Sequence, residues 1–456
     1  MILQNWDMEL DLLLLQNESK ILEFKRDLSS IEPILKTIVA FANTAGGILI
    51  IGRSAEGELI GVKDVLKAEE MLANSIADRI RPTLLPEIEI ATVRGKDLLI
   101  LKVPHWRAPF YLKNEGIPRG VYIRLGSTSQ PAGPELLAEL QRSYTALSYD
   151  QQPLPELSME ALDLDDLAAV FKSEISKEKC QSLGILASVA NRLVPTIGGL
   201  ILFGKKEVRE KWVPDARVSC ARFQGTTKAQ FIDRYDIAGT ILSAVNEVPK
   251  FIARNTRLSA MIQDFQRKDV SEYSQEALRE VVVNALVHAD YSIPGSSIQI
   301  AVFSDRLEIQ NPGMLPFGFT LEDLKAGVSR VRNRVLARVF HELHFMEAWG
   351  SGYRRVIQAC EKNGYVYPNW EELGTFVRVT FSPHAQTVLR EEIIEDREEE
   401  ILRLFGPNEK LPFRKIFARL PSSLSERMLR YYLARLKAKR LLISKGKGPA
   451  TYWQKL

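Results

Sequence analysis

The sequence predicts a mixed α/β (α+β) chain of three modules, on three observations. Short apolar runs with period-two alternation are interleaved with runs at helical spacing over residues 18–145, and again from about 190 to 383. Between them, "SYDQQPLPELSMEALDLDDL" is acidic and interrupted by prolines, the character of a connector. The charge is also polarised. The net charge is +4, yet residues 401–456 hold 14 Lys/Arg against 2 Asp/Glu, which leaves an acidic body with a basic tail suited to nucleic acid. The expected boundaries are 1–145, an acidic helical linker at 146–189, 190–385 and 386–456.

In the first module "ILEFKR" reads as a strand, and "IEPILKTIVAFANTA" as a helix with Ile34, Ile38 and Phe41 on one face. "GGILIIGRSAEGELIGV" reads as two strands around a turn at Gly57, and "DLLILKVP" and "GVYIRLGS" as further strands. In the second module the strands are "GGLILFG", "ARVSCARF", the pair "SIQIAVFSDRLEIQNPG" and "TFVRVTF". Helices are expected near 238–254, at 278–288 and after "GSG". Three helices and two strands around "KGKGP" complete the tail.

Several classes are excluded. No run approaches the ~20 apolar residues of a membrane helix, and "MILQNWDMELDLLLLQ" lacks the basic start of a signal peptide. Cys180, Cys220 and Cys360 are odd in number and have no metal-ligand spacing, so reduced core thiols in a cytoplasmic protein are expected. "GLILFGKK" mimics a phosphate-binding loop, but its four intervening residues are apolar and Lys206 stands where Ser or Thr is needed. It is expected to be a buried strand.

In the tail, "SERMLRYYLARLKAKR" with Ser425 as N-cap puts Leu429, Tyr432, Leu433 and Leu436 on one face. Arg427, Arg430 and Tyr431 lie opposite, flanked by Arg435, and the following hairpin carries Lys445 and Lys447 at its tip. Two helices, a basic helix and a basic hairpin spell a winged helix-turn-helix that would set its third helix in the major groove of double-stranded DNA. A basic face used for protein contacts is the alternative.

"LREVVVNALVHADYS" places Glu280, Asn284 and His288 four apart among valines and leucines, so they form one polar stripe on a helix built for burial. In one ATPase design a Glu four residues before an Asn orients a water toward the γ-phosphate, while the Asn oxygen ligates Mg²⁺. With "LEIQNPGMLP", the lid-like "GVSRVRNRVLARVF" and "EAWGSGYRRVIQAC", this stretch resembles the GHKL-type (Bergerat) ATP-binding module. The variant is that of divergent AAA-4 or RecG-like transcriptional regulators. The resemblance implies a nucleotide pocket for ATP and Mg²⁺. Glu280 would be its base and Asn284 its metal contact. His288, Asn311, Gly313, Arg330, Asn333, Gly350 and Gly352 would surround the nucleotide. Two positions depart from the pattern: Asn311 stands for the adenine-reading Asp, and Leu315 for a glycine.

"ESKILEFKRD", "FANTAGGILIIG" and "GVYIRLGSTSQPA" resemble the Schlafen AlbA_2 domain over about 120 residues. In its nuclease-active branch three carboxylates hold a divalent metal. Glu18 and Glu23 match two of them, while Ser54 occupies the third position, with Glu56 nearby. The alternative is a structural ion pair of Glu23 with Lys25. The resemblance also implies RNA or single-stranded DNA contact through Lys25, Arg53 and Arg124.

The expectation is a prokaryotic transcriptional regulator, a homo-oligomer such as a dimer, whose duplex binding responds to ATP and Mg²⁺. The rivals are a Mg²⁺- or Mn²⁺-dependent nuclease or slow ATPase, and a scaffold with degenerate pockets.

Overall fold

The computed structural model describes residues 10–54, 56–145, 147–263, 266–347, 351–384, 397–406, 409–420, 426–439, 441–446 and 451–455, with backbone alone at 259–263, 266–269 and 427. The chain forms two compact units: residues 1–255 with 274–382, and residues 256–273 with 383–456.

The first unit begins with a four-stranded sheet in the order Leu22–Lys25, Gly47–Ile51, Lys96–Val103, Glu87–Val93. Its first pair is parallel and the rest antiparallel. The helix Ile31–Thr44 makes the crossover, and Ile34, Ile38 and Phe41 are buried from it as the apolar spacing predicts. Its last turn is fastened by side chains. The Asn43 amide donates to the carbonyls of Phe110 (2.9 Å) and Tyr122 (2.8 Å) and accepts from the Phe110 N–H (2.7 Å). A buried amide satisfied on both ends fixes where the strand Tyr122–Leu125 lies. Beyond Ile51 the expected second strand is reduced to a single bridge, Arg53 with Leu59.

The segment expected to be a linker is built into the fold. It contains the helices Leu164–Phe171 and Lys177–Leu183, and Asp150 within it is fully buried. "GLILFGKK" is not a strand: Ile197–Phe203 is a helix with all seven residues buried, N-capped by Thr196, whose hydroxyl accepts from the Gly199 N–H at 3.0 Å. An unbroken apolar run gives no period, and the cap decides in favour of helix. The rejection of a phosphate loop stands, because the helix is fully buried and its first amides are taken by the Gln152 carbonyl and by Thr196.

A six-stranded sheet follows, in the order Phe231–Asp236, Val218–Phe223, Ile298–Val302, Leu307–Pro312, Phe376–Phe381, Asn369–Leu373. Only the Val218–Phe223 and Ile298–Val302 pair is parallel. The helices Ile241–Asn255, Gln275–His288 and Gly352–Glu361 pack together beside it. All three cysteines are buried and free, as expected.

The second unit joins the hairpin Leu258–Gln263/Gln266–Ser271 to the C-terminal elements, a membership the sequence boundaries did not anticipate. The helices Phe413–Arg419 and Glu426–Ala438 enclose a core with the antiparallel strands Lys410–Pro412, Tyr452–Lys455 and Leu442–Lys445. Among the described residues no helix is long and apolar enough to cross a membrane.

Candidate functional site

The helix Gln275–His288 starts at Ser274, whose hydroxyl accepts from the Ala277 N–H. Its polar stripe runs beside a cavity. Asn284 and His288 line that cavity together with Asn311, Gly313, Arg330 and Gly352. The remaining wall is largely apolar, including Val281, Ile309, Leu315 and Val377, with Tyr353 and Trp370 in ring contact at 5.0 Å. A slot with few polar groups is the usual form of a small-molecule site.

Glu280 is buried next to the cavity, and its carboxylate accepts from Asn284 Nδ2 (3.2 Å). Arg355, on the helix Gly352–Glu361, stands 3.1 Å from the same carboxylate. Arg355 was not singled out in the sequence, since its partner lies 75 residues away and no local pattern links them. With the Asn284 nitrogen donating to Glu280, its oxygen remains for a cation. Gly352 begins its helix where a Cβ would lie 2.8 Å from Glu280 Oε1 and 3.0 Å from Asn284 Nδ2, so only glycine lets the helix start this close. His288 is a neutral imidazole at neutral pH: burial, helped by the Arg332 charge, pulls its pKa down to about 4.

Gly313 has φ +98°, and a Cβ there would lie 2.7 Å from Asp290 Cβ, so the turn after Pro312 is closed to other residues. Asn311 fits with its nitrogen donating to the Ala285 carbonyl (3.0 Å) and its oxygen accepting from the Ala289 N–H (3.2 Å). It pins the end of the polar helix to the strand Leu307–Pro312. Asn333, expected at the nucleotide, is instead buried and donates to the carbonyls of Val287 (2.8 Å) and Ala289 (2.7 Å). That is a correction: both its N–H groups tie the lid segment to the polar helix. Gly350 lies outside the described residues.

The loop after Gly313 is held from the N-terminal module, outside its four-stranded sheet. Met314 and Phe317 pack with Val121, Ile123 and Leu140. The Leu315 N–H donates to Glu372 (2.8 Å), which is ion-paired with Lys20 (2.8 Å).

In the N-terminal sheet Glu23 is buried, 2.9 Å from the Arg124 guanidinium, and it also meets Lys25. Glu18 accepts from the Phe24 N–H at 3.1 Å. Among the described residues no three His, Cys, Asp or Glu side chains are grouped to hold a metal. Arg124 has no exposed surface, and it donates to the Ser19 carbonyl at 2.7 Å, so the expected nucleic-acid contact through it does not hold. Lys25 is likewise drawn to Glu23, and Arg53 lies over the Phe24 ring at 3.8 Å.

In the second unit Leu429, Tyr432, Leu433 and Leu436 are buried, as the helical spacing requires. Arg430, Tyr431 and Lys445 are exposed, Arg430 lying over the Phe413 ring. Arg435 departs from expectation. It pairs at 2.7 Å with the buried Glu398, which also holds Lys439 at 2.6 Å, so it braces the fold where a DNA contact was expected. The Arg427 side chain, Lys447 and the proposed cap Ser425 lie outside the described residues.

Residues 18–133 match the family described as "Schlafen, AlbA_2", and residues 295–381 match "Putative ATP-dependent DNA helicase recG C-terminal". Among solved structures, a Corynebacterium diphtheriae protein is similar at 19% identity, covering 96% of this chain and 92% of that one with TM-score 0.45. The N-terminal domain of a "putative ATP-dependent DNA helicase RecG-related protein" from Nitrosomonas europaea is 33% identical. It covers 27% of this chain and 90% of that one, with TM-score 0.22. No curated protein matches the chain. The chain thus carries two matched segments in order, one of the Schlafen AlbA_2 family and one of the RecG-type C-terminal family.

Proposed function

We propose that this protein is a DNA-binding transcriptional regulator that takes ATP with Mg²⁺ in the cavity beside Gln275–His288. Duplex DNA would bind through the helix Glu426–Ala438 and the hairpin after it, as a winged helix. The observation that carries the nucleotide reading is the meeting of Asn284, Glu280 and Gly352, where a helix start approaches two polar side chains with no room for a Cβ. On its cavity side the helix start at Gly352 suits a phosphate, and the Asn284 oxygen suits a hard cation. The GHKL-type arrangement of polar helix, lid and glycine-started helix agrees with the RecG-type match over 295–381.

Magnesium would enter with the nucleotide and offset phosphate charge. The chain's own part is positional. Asn284 would hold the cation, His288 would form a neutral polar wall, and Glu280 would hold a water if released from Arg355. The ion pair to Arg355 makes any hydrolysis slow, because a carboxylate engaged by a guanidinium is a poor base.

Calorimetry with ATP, in the presence and absence of Mg²⁺, tests this. Asn284→Ala should weaken Mg·ATP binding tenfold or more and leave metal-free binding nearly unchanged. Glu280→Gln should preserve binding and remove turnover. Absence of binding at millimolar ATP in the wild type would overturn the reading.

For DNA, removal of residues 395–456 should abolish tight duplex binding, and the intact chain's affinity should fall steeply with salt. Arg430→Glu should weaken binding across all sequences. Unchanged affinity in the truncated chain would move the DNA site elsewhere.

A further inference from the structure

A second cavity of the first unit is lined by five arginines, Arg107, Arg142, Arg330, Arg332 and Arg334, against two carboxylates, Glu139 and Asp290. Both carboxylates are spent on one guanidinium. Arg332, with its side chain 8% exposed, stands 2.9 Å from Asp290 and 3.1 Å from Glu139. Arg142 donates to the Ser292 hydroxyl at 3.0 Å and lies over the Tyr149 ring. Arg330 donates to the Phe317 carbonyl. Neither has a carboxylate within ion-pair distance among the described residues, and Arg107 approaches Arg330 closely enough for their charges to oppose each other. Ser143 and Ser329 line the same cavity.

Positive charge is in excess around the cavity, and Arg107 and Arg330 repel each other with Asp323 only partly offsetting Arg330. Each guanidinium has donors in a fork that matches phosphate oxygens. The arginines come from both sides of the fold: Arg107 and Arg142 from the N-terminal part, Arg330 and Arg332 from the lid segment. The cavity is half open, with room for a small anion.

We infer that this cavity is a binding site for a polyphosphate-bearing small molecule, distinct from the nucleotide pocket proposed above. It adjoins that pocket through Ser329, Arg330 and Pro316. Arg107 and Arg142 line the second cavity alone, so the site can be addressed without touching Asn284 or Glu280. The anion would neutralise the arginine cluster and fasten the lid segment to the N-terminal part. Its source is either the phosphate tail of a nucleotide or a free polyphosphate.

The test is calorimetry of the full chain with pyrophosphate at low salt, on wild type, Arg107→Glu, Arg142→Gln and Asn284→Ala. Binding should weaken at least tenfold in each of the two arginine variants and stay unchanged in Asn284→Ala. Arg107 is exposed, so its variant folds irrespective of the outcome. Repeating the titration with Mg·ATP in Asn284→Ala, whose first pocket no longer takes Mg·ATP tightly, separates the sources. Competition with pyrophosphate identifies a nucleotide tail, and its absence identifies free polyphosphate. Equal pyrophosphate affinity in wild type and both arginine variants, or no binding at millimolar concentration, would overturn the inference. Loss in Asn284→Ala alone would assign the anion to the first pocket and overturn it equally.

Discussion

Glu23 and Arg124 form the most completely buried ion pair of the N-terminal sheet, with side chains 8% and 1% exposed. Removing one partner leaves the other charged and without water, which is costly. Glu23→Ala should therefore destabilise the protein by about 3 kcal/mol or more in urea unfolding. It should leave nothing to lose in nuclease assays, since Mg²⁺ or Mn²⁺ should support no cleavage of RNA or single-stranded DNA by the wild type. Metal-dependent cleavage that disappears in Glu23→Ala would restore the catalytic reading. A strand position beside Lys25 already suggested a structural pair, but Arg124 lies about a hundred residues on, and no spacing in the sequence joins it to Glu23. The stripe Glu280, Asn284, His288 was legible for the opposite reason. Its members are neighbours on one helix, and the period of that helix places them.

Among the elements, the helix Arg334–Glu342 has the least local explanation for its start. Asn333 stands at its N-cap but makes no capping bond. Asp150 takes that part from 184 residues away, accepting from the N–H groups of Arg334 (3.1 Å), Val335 (2.7 Å) and Leu336 (3.0 Å). Three first-turn amides depend on one carboxylate. Asp150→Ala should cost about 2 kcal/mol in urea unfolding, and Asp150→Asn, which keeps an acceptor, should cost less. Equal stability of Asp150→Ala and wild type would show that water replaces the cap. A remote cap leaves no mark in the sequence around the helix, which is why 146–189 read as a linker. The helix Ile197–Phe203 was missed for want of any polar residue to reveal a period, whereas Ile31–Thr44 and Glu426–Ala438 each carry one.

Across the whole molecule, two imidazoles make stability depend on pH. Burial lowers His105 and His288 to about 4, against an ordinary value near 6.5. The folded protein thus binds fewer protons than the unfolded chain between those limits. Stability is complete above about 6.5 and is lost as pH falls toward about 4, at roughly 1.4 kcal/mol per unit for each histidine. Urea midpoints at pH 8 and pH 5 measure this, and His105→Gln should shrink the difference; a flat profile would show that neither imidazole is shielded from water. Alternation revealed Leu22–Lys25, Gly47–Ile51 and Lys96–Val103 in one sheet and Val218–Phe223, Ile298–Val302, Leu307–Pro312 and Phe376–Phe381 in the other. It did not reveal the edge strands Glu87–Val93, Phe231–Asp236 and Asn369–Leu373. Composition revealed the basic tail. The sequence could not reveal that the segments between modules would be buried, because their partners are distant in the chain. The loop after Gly313 shows what such burial does. It is one wall of the cavity beside Asn284, and Val121, Ile123, Leu140 and the Lys20–Glu372 pair hold it from the N-terminal module. A shared wall enforces reciprocity: whatever factor a ligand of that module changes in the cavity's affinity, the cavity's occupant must return to the module.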